Sequence, residues 1–194
     1  MPDEKPTTLH SGANQTRDAA DPRHALANSL DQLADLIDRL DDAGYATTGI
    51  SGFDSSIGQH VRHCLDHVDA LLVSLRDPES GRSAETPVAY DRRIRGTDTE
   101  TDRSAGLTAV RSRANVVRTI DNATLESPLQ ILAIVDPAAP ERRFQTTGNR
   151  ELLYVFHHTV HHLAIVAAQA RSLGIGVERD FGRAPATVAA DRQR

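Results

Sequence analysis

Residues 156–166 read FHHTVHHLAIV, with four histidines inside an otherwise apolar run. Imidazole changes charge near neutral pH and loses solvation when buried without a partner, so an apolar core gains nothing from four of them. Together they can bind a metal. On an α-helix, residues four apart lie about 40° apart around the axis and about 6 Å along it, so their side chains converge. Two such pairs occur, His157 with His161 and His158 with His162. A second cluster, QHVRHCLDH, carries His60, His63 and His67 at spacings of three and four. Imidazoles from two facing helices, with no thiolate and a coordination position left open, form the donor set of a catalytic rather than a closed structural site. Such a set accepts zinc, nickel, iron or copper. Val160, Leu163, Val166, Ala167 and Ala170 mark the apolar face of the later segment. Both histidine pairs flank that face, so periodicity leaves the choice between them open.

Four periodic segments can position these groups. Asp21 and Pro22 have the pattern of an N-cap followed by proline at the first helical position, and Leu26, Leu30, Leu33, Ile37 and Leu40 recur at spacings of three and four up to Gly44. Ser56 and Gln59 match a capping box before a second apolar stripe that runs from Ile57 to Leu75 and stops at Pro78. Residues 78–100 read as a long surface loop. A third helix follows, capped by Thr101 or Asp102, with Leu107, Val110, Val117 and Ile120 on one face. The β-branched run LQILAIVD, the turn PAAPE and the segment RRFQTTG suggest a short β-hairpin. The fourth helix starts at an Asn149 N-cap and stops at Gly174 or Gly176. Four helices with long connections bury their stripes most economically as an all-α four-helix bundle. Residues 1–20 read as a disordered arm, 21–176 as the bundle, and 177–194 as a tail that packs Phe181 and then ends in disorder.

Composition narrows the function. A formal net charge of -5 over 194 residues, with no basic block, argues against a nucleic-acid binder. No apolar stretch approaches the roughly 20 residues of a membrane span, and the N-terminus has no secretory pattern, which points to a cytoplasmic protein without membrane partners. Cys64 is the single cysteine, so no intramolecular disulfide forms, and its helical position turns it about 100° from His63, as expected of a buried core thiol. Arg92, Arg93 and Arg95 read as a solvated charged loop, with a carboxylate or phosphate clamp at the bundle mouth as the alternative. Asp54, Asp66, Asp69 and Glu151 are candidate acceptors for the second N–H of a ligating histidine.

Between about residues 24 and 175 the chain resembles the DinB/YfiT-like metalloprotein superfamily. Ser56 stands seven positions before His63, and HHTVHH supplies His158, His161 and His162 in the family's pattern. The segment DFGRAPATV is similar to a tail found in some members. The resemblance implies a DinB-like bundle with long crossover connections and nominates His63, His158 and His162 as metal ligands. His60 and His67 remain competitors or additions to His63, and His157 and His161 are left to surface or supporting roles. It further implies a divalent metal (zinc, nickel or iron), a low-molecular-weight thiol cosubstrate, a small-molecule substrate and a homodimer. Activity would then be that of a metal-dependent enzyme that activates a thiol or water, like the thiol S-transferases of the family. The alternative is a non-catalytic metal-binding dimer acting in stress response or as an interaction module.

Overall fold

Asp21 accepts the Arg23 amide at 2.8 Å and Pro22 opens α1 (Pro22–Asp38), which buries Leu26, Leu30, Leu33 and Ile37. The computed structural model describes residues 21–75, 86–92 and 94–194. The arm proposed for residues 1–20 lies outside them, as do Arg93 and residues 76–85 of the connecting loop. The first helix ends before Gly44 is reached. Asp41 accepts the Gly44 amide at 2.7 Å and so starts a separate short helix, α2 (Asp42–Ala46). After a 3-10 turn (Ile50–Gly52), the expected capping box forms in both directions. The Ser56 amide donates to Gln59 Oε1 at 3.0 Å, the Gln59 amide donates to Ser56 Oγ at 3.2 Å, and α3 (Ile57–Leu75) follows.

A single turn, α4 (Asp98–Thr101), precedes α5 (Arg103–Arg118), whose first amides are accepted by Asp102. Next come α6 (Asn122–Glu126) and the antiparallel hairpin β1 (Pro128–Ala133) with β2 (Arg142–Thr147), registered Leu129 to Thr146 and Ile131 to Phe144. Val88 adds a parallel bridge to the hairpin: its amide donates to the Gln130 carbonyl and its carbonyl accepts from the Leu132 amide, both at 2.8 Å. The loop after α3 is thereby tied to the sheet, two residues before Tyr90. The last long helix, α7 (Gly148–Ser172), is capped by Thr147 rather than Asn149, because the Thr147 hydroxyl accepts the Arg150 amide at 3.3 Å. The tail is not disordered after Phe181. Phe181 is buried, and α8 (Pro185–Arg192) follows, held by Arg183 between Asp180 and Asp191.

The packing makes a four-helix bundle with a crossed connection. Helix α1 lies against α5 and α7, and α3 lies against the same two, so the consecutive helices α1 and α3 sit across a diagonal. Val61, Leu65 and Val68 of α3 meet Val110, Ala114 and Val117 of α5 and Leu152, Val155 and Leu163 of α7 in one apolar core. Among the described residues, no helix is long and apolar enough to cross a membrane.

Two glycines let the elements beneath the site close up. A Cβ on Gly58 would lie 2.1 Å from the Glu100 carbonyl oxygen, and one on Gly106 would lie 2.0 Å from the Tyr45 hydroxyl, which itself donates to the Thr99 carbonyl. Backbone thus meets backbone where α3 passes α4. Gly58→Ala is expected to cost about 1–3 kcal/mol through overpacking, more than alanine's gain in helix propensity. Gly176→Ala, where nothing lies within 4 Å of the added Cβ, should leave stability close to the parent's. Urea unfolding of the two variants checks the contrast.

Candidate metal centre

Helices α3 and α7 lie side by side and bring their histidines to one seam. Of the fourth-helix pairs, His158 and His162 are half-buried and face α3, whereas His157 and His161 are exposed. The apolar face of α7 packs on the core, and its rotation settles what periodicity left open. On α3, His60 and His67 are buried and His63 is half-buried.

His63 Nε2 and His158 Nε2 approach to 3.0 Å. The His63, His158 and His162 rings form a triangle with centroid separations of 4.9 Å (His63 to His158), 4.6 Å (His63 to His162) and 4.6 Å (His158 to His162). Their planes meet steeply, at 77°, 88° and 64° in the same order. His67 joins the cluster as well: one ring nitrogen each from His63, His67 and His158 lies within 4.8 Å of the others. Its ring stacks on His158 at 3.9 Å and 21°. An imidazole directs its lone pair in the plane of the ring, so two stacked rings do not aim at a common point.

Two chains of contacts orient these rings. Ser55 Oγ lies 2.9 Å from His60 Nε2, and His60 Nδ1 lies 3.0 Å from His162 Nδ1. If His60 Nε2–H donates to Ser55, His60 Nδ1 is an acceptor, His162 carries its proton on Nδ1, and His162 Nε2 is left as a lone pair. On the other side, His67 Nδ1–H donates to the His63 carbonyl at 3.0 Å, which leaves its Nε2 as the acceptor nitrogen. Tyr90 stacks on the outer face of His67 at 5.1 Å and 10°, and its hydroxyl donates to Glu151 Oε2 at 2.9 Å. Glu151, only 1% exposed, also accepts from Thr146 at 2.7 Å and Arg150 at 3.1 Å. Burial, reinforced by the Glu151 charge, raises the Tyr90 hydroxyl far above its ordinary value, so it remains a donor.

The carboxylates nominated from sequence have other partners. Asp66 accepts from Arg62 at 2.6 Å, Asp69 pairs twice with Arg113, and Glu151 acts through Tyr90; Asp54 is exposed. The supports given by Ser55 and Tyr90 were missed. Ser55 was hidden beside the capping Ser56, and Tyr90 lies in a loop whose path depends on the Val88 bridge. Cys64 is buried as expected, and burial, together with Asp66, pushes its thiol up to about 12. Arg92 is 71% exposed and lies 3.8 Å from Glu141, in keeping with a solvated loop. Arg95 instead lines a cavity of about 370 Å³ whose floor includes His60, His63 and His162.

Burial first, and then the neighbouring imidazoles His158, His63, His60 and His161, drive His162 well below its ordinary 6.5, and burial lowers His60 in the same direction. Burial thus favours the neutral form of both rings, the form that metal ligation requires. The unfolded chain takes up these protons more readily, so the stability they leave intact above about pH 6.5 is lost as the pH falls below it. The metal-free protein should show a declining urea midpoint between about pH 7.5 and about pH 5, with a shallower decline in His162→Gln. Parallel profiles for the two proteins would contradict the neutral, buried state of this ring.

Comparison with known proteins agrees with this architecture. A solved structure, YfiT from Bacillus subtilis, described as a probable metal-dependent hydrolase with an unusual four-helix bundle topology, superposes with a TM-score of 0.51 at 20% identity, over 89% of this chain and 95% of that one. That likeness is one of fold. A curated protein, FK506-binding protein 5 from Rhizopus delemar, is 32% identical over 104 residues, which are 53% of this chain and 27% of the relative. The match thus spans about a quarter of that relative's length. The family model described as DinB superfamily matches residues 25–166, which include the whole of α3 and every histidine of the cluster. With most of its length matched and a crossed four-helix bundle around a histidine seam, the chain belongs to the DinB superfamily.

Proposed function

We propose that the chain is a metal-dependent enzyme in which His63, His158 and His162 hold one divalent ion beside the cavity. The observation that carries this reading is the triangle of imidazole rings, with centroid separations of 4.6–4.9 Å and steeply crossed planes, drawn from α3 and α7, in which ring nitrogens of His63 and His158 also lie within 4.8 Å of each other and of one of His67. Its donors fit a metal: all are imidazoles, with no thiolate among them, and His162 is kept neutral by burial. Zinc, nickel and iron all accept this set. When bound, the ion would lower the pKa of a water or a low-molecular-weight thiol and polarise a substrate carbonyl. Thiol transfer and hydrolysis are the two forms that such chemistry takes.

The remaining residues have supporting tasks. In this reading His60 gives its Nε2–H to Ser55 and accepts from His162 Nδ1–H, which presents His162 Nε2 to the ion. His67, stacked between Tyr90 and His158, wedges the His158 ring in place and is not itself a ligand in this reading. The adjoining cavity supports a catalytic rather than a purely structural ion, since a structural site is closed by four protein ligands.

Elemental analysis of tag-free protein loaded with zinc or nickel tests the reading. About one ion per chain is expected in the parent, with loss in His63→Ala, His158→Ala and His162→Ala. His60→Ala should keep the stoichiometry but weaken affinity about 10–100-fold, as removal of a partner that orients a ligand does. A parent that binds no ion, or a His162→Ala variant that binds as tightly as the parent, would overturn the assignment.

A further inference from the structure

The cavity beside the histidines differs from an ordinary ligand pocket in the residues that line it, whose polar groups share the wall with their own carbon stems. Such pockets are lined mostly by hydrophobic and aromatic side chains, whereas every side chain facing this one is polar or charged. Gln59, Arg62, Arg95 and Glu100 line it together with His63 and His162. A strongly hydrated ligand can exchange its water for these polar groups.

The charges on the walls are unequal: two guanidiniums face one carboxylate. Arg62 is nine-tenths buried. Its Nη1 donates to Asp66, which lies outside the cavity lining, at 2.6 Å. Its Nε is 3.7 Å from Glu100 Oε2 and has no hydrogen-bond acceptor among the described residues. Glu100 is itself engaged by the Gly96 amide. Arg95, on the loop between the Val88 bridge and α4, forms no ion pair with a described carboxylate. Among the described residues, the loop thus brings an unpaired guanidinium to a cavity that the Arg62 side chain also lines.

We propose that this cavity binds a small, hydrophilic molecule bearing a carboxylate, with the carboxylate held by Arg95 beside the Arg62 guanidinium and the rest of the molecule reaching the imidazoles. Guanidinium and carboxylate match in planarity and in charge. The proposal deepens the metal reading, on which it relies only for what happens at the floor.

Calorimetric titration of the zinc-loaded full chain with succinate, its uncharged analogue succinamide and inorganic phosphate tests it, with zinc content measured on the same samples. Succinate is expected to bind at least about tenfold more tightly than succinamide, and Arg95→Ala to weaken succinate about tenfold at unchanged zinc content, with Arg95→Lys in between. Equal binding of succinate and succinamide, no effect of Arg95→Ala, or Arg95-dependent binding of phosphate in preference to succinate overturns the proposal. If the parent holds no zinc, the metal reading fails separately, and the same titration of the metal-free chain decides. Arg95-dependent succinate binding there sustains the carboxylate pocket, and its absence overturns that pocket too.

Discussion

A neutral imidazole held between two helices has one N–H to give and one lone pair to place, and the arrangement of this molecule follows from meeting that requirement several times in one seam. His60, His63, His67, His158 and His162 lie in contact along α3 and α7. Each proton assigned at the edge of the cluster fixes the lone pair on the opposite nitrogen. The His63 carbonyl, which can only accept, fixes the His67 proton on Nδ1, and Ser55 holds the His60 ring at the other end. The core of the bundle supplies rigidity, while the polar edge supplies direction.

The connections carry more of this task than their irregularity suggests. The Val88 bridge ties the loop to the hairpin and brings Tyr90 over His67, while Thr146 at the end of β2 holds the same buried Glu151 that receives the Tyr90 hydroxyl. The hairpin thus acts on the site through one carboxylate and one ring. On the other side, α4 meets α3 at Gly58, where only a residue without a Cβ lets the Glu100 backbone come so close. That contact sets Glu100 beside Arg62 and shapes the cavity.

Much of this was legible in the residues. The apolar spacing of Leu26, Leu30, Leu33 and Ile37, the Ser56–Gln59 box and the Asp102 cap are local signals, and each appears in the structure where local physics places it. The hairpin, too, could be read from a change of period. Local signals failed where two were in competition. Thr147 took the cap expected at Asn149, Asp41 restarted the chain before Gly44, and the tail after Phe181 folded into a helix. The histidine clusters were plain in sequence, but their mutual orientation depends on how α7 turns against α3. Contacts such as Ser55 with His60 and Tyr90 with His67 join elements whose approach is a property of the packed bundle.

The central claim is that His63, His158 and His162 converge on one ion while His67 stands beside it. Anomalous diffraction at the zinc absorption edge from crystals of the zinc-loaded protein addresses it most directly. The account predicts one strong peak per chain, at about 2.0–2.1 Å from a ring nitrogen of each of His63, His158 and His162, with His67 outside coordination distance. A peak coordinated by His67 in place of His162, or no peak in the seam between α3 and α7, would contradict it.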